Sequence, residues 1–219
     1  MMMLRTIWNH AADSDENLPA NPTRRLRRAW FPIERRTRHL NPEQLPVFYK
    51  AVLKLPSPVQ RDLLLTLLFT GMRLNECASL EWADVDLASK TLTVPGTRTK
   101  NKRTLTLPLT TFTYKLLRAR RDLGNTRFVF PGRRGYLSNS KHAFAQIKEA
   151  TGIKISAHDL RRTFSTTAHN CGVPWPEIKA LINHVDRKDT TAGYVIIATA
   201  TLRAPAQRVC DRLKTLCRV

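Results

Sequence analysis

The chain has 219 residues and a formal net charge of +20, from 37 basic and 17 acidic side chains. This length permits one sizeable domain with a buried core and a short additional segment. No apolar stretch approaches the roughly 18 residues that a membrane span needs, and the first residues lack the pattern of a secretory signal. We therefore expect a folded, cytoplasmic protein.

The cysteines and histidines bear on redox state and metal binding. The four cysteines are far apart in the sequence and form no CxxC pair, a pattern typical of reduced thiols. None of the six histidines stands at a metal-ligand spacing from a Cys, Asp or Glu. The sequence predicts no metal ion and no other cofactor.

The positive charge is concentrated between Val94 and Arg162. These 69 residues contain 16 Lys and Arg but only three Asp and Glu. A basic surface of this kind is the expected footprint of a protein that binds a phosphate backbone, with an affinity that falls as salt rises. Charge alone leaves RNA and anionic membrane surfaces open as alternatives.

The beginning of the chain differs in character from the rest. Residues Leu4–Ala12 have a helical pattern, which ends in the polar, proline-containing run 13–23. Residues 24–38 are rich in arginine and show little periodicity, so we interpret them as a basic linker. The compact domain is predicted to begin near Asn41 with an N-cap, a proline and a glutamine, which start a helix to about Leu53.

A second helix is predicted to start at Ser57-Pro58 and to stop at Gly71, and a short helix is expected over 73–80. Apolar residues alternate on both sides of the basic turn 96–103, which predicts a small antiparallel sheet carrying a hairpin. The remaining helices are predicted at Thr110–Asp122, Ser138–Ala150, Asp159–Asn170, Pro174–Asn183 and Thr201–Cys217.

The residues with chemical potential occur in a fixed order. An arginine follows the helix-ending glycine, a lysine lies in the basic turn, and a histidine and an arginine form an H-x-x-R pair one helical turn apart. A second histidine and a tyrosine follow. Each alone is weak evidence, because isolated Arg, Lys and Tyr side chains are usually solvated or structural. In order, these residues are Arg73, Lys100, His158, Arg161, His184 and Tyr194.

Taken together, these residues resemble the active site of the tyrosine recombinases, the phage integrase family. In that family two arginines, a hairpin lysine, a histidine, a second histidine or tryptophan and a C-terminal tyrosine form the site. The resemblance implies a mainly α-helical catalytic domain with a small antiparallel β-sheet, an α+β fold. It implies site-specific DNA recombination as the activity, by metal-independent strand cleavage and rejoining.

The resemblance also implies a role for each residue. The two arginines would bind the scissile phosphate, and Tyr194 would attack it to form a 3′-phosphotyrosyl intermediate. His158 is the candidate base, Lys100 the candidate acid for the departing 5′ oxygen, and His184 a hydrogen-bond donor to the phosphate. Further basic residues are predicted to bind the DNA: Arg98, Lys102, Arg103, Arg133, Arg134 and Arg162.

Two positions depart from the family pattern. Asn183 stands directly before the second histidine, where the family often has glycine. Tyr194 stands ten positions after His184, one more than in many members. The second departure bears on where the nucleophile lies before DNA binds. It does not bear on which residue the nucleophile is, because Tyr194 is the only tyrosine after His158.

The domain organisation is predicted from the same resemblance. Residues 1–38 look like the last helix of the family's separate core-binding domain and its linker, and residues 39–219 like the catalytic domain. We therefore expect that this chain is a fragment of a longer integrase, which would bind DNA weakly and with little sequence preference.

The last predicted helix has an apolar stripe at helical spacing, formed by Leu202, Ala206, Val209, Leu213 and Leu216. The stripe fits packing on its own domain or docking on a neighbouring protomer, and we expect docking, as in the family. The implied partners are double-stranded DNA attachment sites and further copies of the chain, forming a tetramer in the synapse. No membrane partner is expected. Two alternatives remain: a type IB topoisomerase, and a DNA-binding regulator without catalysis.

Overall fold

A computed structural model of the chain describes residues 2–24, 37–124, 126–133, 135–184 and 197–219. The chain divides into two compact units, Met1–Thr37 and Arg38–Val219. The first unit contains helix α1 (Met2–Ala12). The indole N–H of Trp8 donates to the carbonyl of Pro19, so the segment after α1 folds back along this helix.

In its described residues, the second unit is mainly helical and carries two small antiparallel sheets. Its helices are α2 (Gln44–Leu53), α3 (Pro58–Thr70), α4 (Leu74–Ala78), α5 (Thr111–Arg121), α6 (Lys141–Thr151), α7 (Ala157–Asn170), α8 (Trp175–Leu181) and α9 (Arg203–Cys217). Its strands are β1 (Val85–Asp86), β2 (Thr91–Val94), β3 (Leu105–Pro108), β4 (Pro131–Gly132) and β5 (Gly135–Tyr136). The α+β fold predicted from the sequence is confirmed.

Helix α3 lies at the centre of the second unit. All of its residues from Asp62 to Thr70 are buried, and it packs against α2, α4, α5, α7 and α9. Its start and stop follow the sequence signals, since the Ser57 side chain accepts the backbone N–H of Gln60 and Gly71 ends the helix with a φ of +66°. The polar threonines of this buried helix donate to carbonyls one turn earlier, which satisfies their hydroxyls without water.

The predicted hairpin is present as the β2–β3 pair. Strands β1, β2 and β3 form an antiparallel sheet in sequence order, and Val94 pairs with Leu105 at the start of the basic turn. Leu92, Val94, Leu105 and Leu107 are all buried, so one face of the sheet closes on the core. The turn therefore projects from a strand pair whose register is fixed by burial.

The second sheet was not predicted from the sequence. Strands β4 and β5 contain two residues each and pair Gly132 with Gly135. Elements this short show no alternation of apolar and polar residues, so a pattern-based prediction of a single sheet was wrong here.

The apolar stripe of α9 is buried within its own unit. Val209, Cys210 and Leu213 have no exposed surface, and the helix packs against α2, α3, α5 and α7. The sequence analysis expected this stripe to dock on a neighbouring protomer. Burial of the stripe among helices of the same chain accounts for its periodicity without a partner.

Across the part of the chain that the structure describes, no helix is both long and apolar enough to cross a membrane.

We predict that Gly71→Ala destabilises the second unit more than Gly172→Ala. Both glycines have a positive φ, +66° and +69°, but a methyl group on Gly71 would lie 2.5 Å from the ring of Phe164, whereas Gly172 faces open space. We expect about 1 kcal/mol for the backbone strain at Gly172 and about 1–3 kcal/mol more at Gly71. Denaturant unfolding measures both variants, and equal losses would contradict this packing.

Candidate active site

Four segments of the second unit meet beyond the C-terminal end of α3. Gly71 turns the chain so that Arg73 becomes the N-cap of α4. Helix α7 packs along α3 and contributes Arg161, whose guanidinium donates to the carbonyl of Gly71. The β2–β3 turn completes the group through a hydrogen bond from the Lys100 N–H to Glu76. The end of α8 joins it through the Asn183 carbonyl, which accepts from Arg73.

Arg73 is held from two sides. Its Nη1 donates to Glu76 Oε1 at 2.9 Å, and its Nη2 donates to the backbone carbonyl of Asn183, also at 2.9 Å. About a quarter of its side chain is exposed, 24%. The guanidinium is therefore fixed in place while part of it faces solvent.

Arg161 is the more buried of the two arginines, with 6% of its surface exposed. Its Nη1 donates to the Gly71 carbonyl at 2.9 Å. Burial, followed by repulsion from Arg73, lowers the pKa of Arg161 to about 10, against a smaller opposing effect of Glu76. The two guanidiniums thus lie close enough to repel each other, which favours a bound anion.

Glu76 is a site residue to which the sequence analysis assigned no role. It is 2% exposed, and its Oε1 accepts from Arg73 and from the backbone N–H of Lys100 at 3.3 Å. Its Oε2 is buried without a hydrogen-bond partner in the described part of the chain. The available signal was its spacing, since an acid three residues after an arginine on a helix can pair with it.

His158 lies one turn before Arg161 on α7 and is exposed at the surface. Desolvation lowers the pKa of its imidazole, and the positive charges of Arg162, Arg161 and Arg73 lower it further, while Asp159 acts in the opposite direction. The imidazole is therefore neutral around pH 7 and able to accept a proton or a hydrogen bond.

Asp159 anchors the start of α7. Its carboxylate accepts from the backbone N–H and the hydroxyl of Ser156 at 3.0 and 2.8 Å, which forms a capping box. It also pairs with Arg38 at 3.4 Å and with Arg162 at 3.7 Å. These contacts fix the first turn of the helix, where His158 and Arg161 are carried.

The hairpin residue Lys100 is exposed, and its neighbour Asn101 is hydrogen-bonded to Asn183 through both side-chain amides. Asn183 ends the α8 segment with a φ of +49°, and the exposed His184 follows directly. The structure thus brings Arg73, Arg161, the Lys100 backbone and the residue before His184 together.

The remaining predicted site residues divide into three groups. Lys102, Arg103 and Arg133 are exposed, and Arg162 is half-buried beside His158. Arg98 is engaged elsewhere, because its guanidinium donates to the Ser79 carbonyl at 2.7 Å and pairs with Asp84. The predicted residues Arg134 and Tyr194 lie outside the described residues.

Outside the gaps at 25–36, 125, 134 and 185–196, no group of three or more His, Cys, Asp or Glu side chains is arranged to hold a metal ion.

Known proteins are similar to this chain in sequence and in fold. The chain is 31% identical to the prophage integrase IntZ of Escherichia coli over 82% of its length, which corresponds to 43% of IntZ. It is 30% identical to the tyrosine recombinase XerA of Pyrococcus furiosus over 73% of its length and 58% of XerA. The chain therefore spans less than half the length of IntZ and under two thirds of XerA.

Among solved structures, a lambda integrase dimer bound to a core site matches the fold with a TM-score of 0.65 at 16% identity. This match covers 89% of the present chain and 72% of the chain in that structure, which comprises residues 75–356 of lambda integrase. The family model described as "Phage integrase family" matches residues 38–200, which include every candidate catalytic residue. On this match, the chain belongs to the phage integrase family.

Proposed function

We propose that this chain is the catalytic portion of a tyrosine recombinase, which cuts and rejoins DNA at specific sites through a 3′-phosphotyrosyl intermediate. The observation that carries the proposal is the proximity of the Arg73 and Arg161 guanidiniums, of which the first is held by the buried carboxylate of Glu76 and the second by the Gly71 carbonyl. Relatives named as prophage integrases and tyrosine recombinases support it. The lambda integrase structure, a dimer bound to a core DNA site, supports double-stranded DNA as the substrate.

The paired arginines suit the chemistry of a phosphodiester. Its transition state gathers negative charge on the non-bridging oxygens, and a guanidinium presents a permanently charged, planar fork of donors to such oxygens. Arg73 and Arg161 are held by backbone carbonyls and Glu76 before any substrate arrives. Removal of one preorganised donor of this kind typically costs about 10²–10³ in rate.

The proton transfers are proposed to fall on His158 and Lys100. A tyrosine with a pKa of about 10 is rarely ionised at neutral pH, so the nucleophile needs a base, and the neutral His158 imidazole can serve. The Lys100 ammonium protonates the departing 5′ oxygen, and His184 donates a hydrogen bond to the phosphate. The bond energy is conserved in the link to Tyr194, so a 5′ hydroxyl from another strand can reverse the reaction.

The DNA-binding face is proposed to include the exposed Lys102, Arg103 and Arg133, together with Arg162 and Arg134. Arg98 is proposed to support the hairpin from its base, since Ser79 and Asp84 occupy its guanidinium. We further propose that the protein acts in the host cytoplasm as a homo-oligomer on DNA, a tetramer in the synapse. Docking of a neighbour through the stripe of α9 would require that helix to leave its own core.

We predict that Tyr194→Phe abolishes covalent capture of DNA and leaves DNA binding nearly intact, because it removes only the attacking oxygen. The substrate is a randomised pool of nicked suicide duplexes, from which the cleaved strand end diffuses away. The duplexes that the wild-type chain captures covalently identify its DNA target site. Adduct formation should persist in EDTA. Captured duplexes should also join to a second copy of the site, which separates recombination from relaxation by a topoisomerase. A mutant that still forms adducts would remove Tyr194 as the nucleophile.

We predict that adduct formation is retained as pH falls to the ordinary histidine value of 6.5 and declines only below it. The lowered pKa keeps the His158 imidazole neutral, and hence basic, to a lower pH than a free histidine. Arg162→Gln removes the largest repulsive charge and should shift the decline to higher pH. Arg212→Gln on α9 is the control, and NMR titration of His158 checks the assignment. A profile unchanged by Arg162→Gln would contradict this role.

We predict that DNA affinity falls by orders of magnitude between about 50 and 200 mM salt, if six or more phosphates are contacted. Arg133→Gln should lower the salt slope by about one phosphate, whereas Arg212→Gln should leave it unchanged. Binding titrations over a salt series measure the slope. A flat response would contradict an electrostatic DNA-binding face.

A further inference from the structure

We propose that Asn183 and Asn101 form a clasp that positions the Lys100 hairpin in the active site before DNA binds. The inference rests on the proposed function, because it assigns the two asparagines a task in the proton transfer from Lys100. Both are positioning residues, since they act through Lys100 and not on the substrate.

The clasp is a set of reciprocal hydrogen bonds between two segments 82 residues apart. Asn101 Nδ2 donates to Asn183 Oδ1 at 2.8 Å and to the Asn183 carbonyl at 3.1 Å. In return, Asn183 Nδ2 donates to Asn101 Oδ1 at 3.2 Å and to the carbonyl of Arg103 at 3.4 Å. A single buried side chain thus binds the hairpin at two of its residues.

The backbone of Asn183 explains why an asparagine can stand at this position. Its φ of +49° lies in the left-handed region, where glycine is favoured and asparagine is one of the few tolerated alternatives. Glycine would supply the same turn before His184 without any side-chain bond to the hairpin. The asparagine therefore adds the clasp and keeps the turn.

The clasp connects Lys100 to the phosphate-binding arginines. The Asn183 carbonyl that accepts from Asn101 also accepts from Arg73 Nη2 at 2.9 Å. The Lys100 N–H donates to Glu76 Oε1, which is the partner of Arg73 as well. The Lys100 backbone is consequently held by Glu76 on one side and, through the next residue, by Asn183 on the other.

This arrangement matters because an acid must lie close to the leaving atom in the transition state. The Tyr194 hydroxyl gives its proton to His158 as its oxygen bonds to phosphorus. The bond from phosphorus to the 5′ oxygen breaks, and the 5′ oxygen takes a proton from the Lys100 ammonium. The products are a 3′-phosphotyrosyl link, a 5′ hydroxyl, an imidazolium on His158 and a neutral amine on Lys100. General acid catalysis contributes typically 10²–10⁴-fold in rate. A hairpin that is ordered before DNA binds provides this gain without losing conformational entropy on binding.

The first test measures hydrogen exchange of the hairpin amides in the DNA-free 219-residue chain. Asn183→Gly retains the backbone conformation and removes the amide, and Asn101→Ala removes the partner. Both should accelerate exchange at Lys100 and Lys102 at least several-fold. Arg103 reports the clasp in Asn183→Gly only, because its N–H donates to Asn101 Oδ1 at 3.2 Å. Asn170→Gly, at an exposed site at the end of α7, is the matched control. Unchanged exchange in the hairpin would overturn the clasp, whatever the activity of the variants.

The second test asks whether the clasp serves Lys100. A suicide duplex captured from the randomised pool is prepared with oxygen or with bridging sulfur at the scissile 5′ position. A thiolate is a far weaker base than an alkoxide, with thiol pKa values of about 8.5, so its departure needs no acid. With the oxygen substrate, Asn183→Gly and Asn101→Ala should each slow adduct formation about tenfold. With the sulfur substrate, both variants should form the adduct at the wild-type rate. Thr104→Ala, in the same hairpin, should change neither rate.

The outcomes separate this proposal from the proposed function. Equal slowing on oxygen and sulfur would overturn the link to Lys100, because a merely structural defect affects both substrates. The two variants share only the two bonds between the side-chain amides, so the double variant should be slowed by less than the product of the two single effects. Fully multiplicative losses would contradict the clasp. If the wild-type chain captured no duplex at all, the proposed function would fail and so would the assignment to proton transfer, while hydrogen exchange would still decide on the clasp.

Discussion

Two guanidinium groups of like charge, on Arg73 and Arg161, are held close enough that the charge on Arg73 lowers the pKa of Arg161. Burial adds to this repulsion, and the single carboxylate of Glu76 offsets only part of it. These three partly or fully buried side chains therefore carry a net positive charge. An anion with two accessible oxygens relieves that excess, and a phosphodiester is such an anion.

The surrounding fold serves to hold this unfavourable pair in place. Helix α3 is buried on all sides and ends at Gly71, whose carbonyl fixes Arg161 and whose turn delivers Arg73. The packing of α7 along α3 places Arg161 beside Gly71. The capping box at the start of α7 orients the helical turn that carries His158. The hairpin and the end of α8 close the group through Asn183. The favourable free energy of burying the core thus offsets the cost of holding two like charges together in a preorganised site.

The sequence predicted the parts of this site that have local signals. Gly71, the hairpin and the helical spacing of His158 and Arg161 are visible as a turn residue, an alternation and a one-turn repeat. The bond between Asn101 and Asn183 is not, because it joins residues that only tertiary packing brings together. The same holds for the engagement of Arg98 and for the burial of the α9 stripe, where a periodic pattern fits a core and an interface equally well.

We propose that Arg73 and Arg161 form one phosphate site. The free energy of unfolding, measured against the concentration of inorganic phosphate at constant ionic strength, tests this. Phosphate at ten times its Kd should stabilise the wild-type chain by about 1.4 kcal/mol. Arg73→Gln and Arg161→Gln should each lose most of this gain, whereas Arg212→Gln should retain it. An equal gain in all four proteins would show that phosphate stabilises the chain without binding to Arg73 and Arg161.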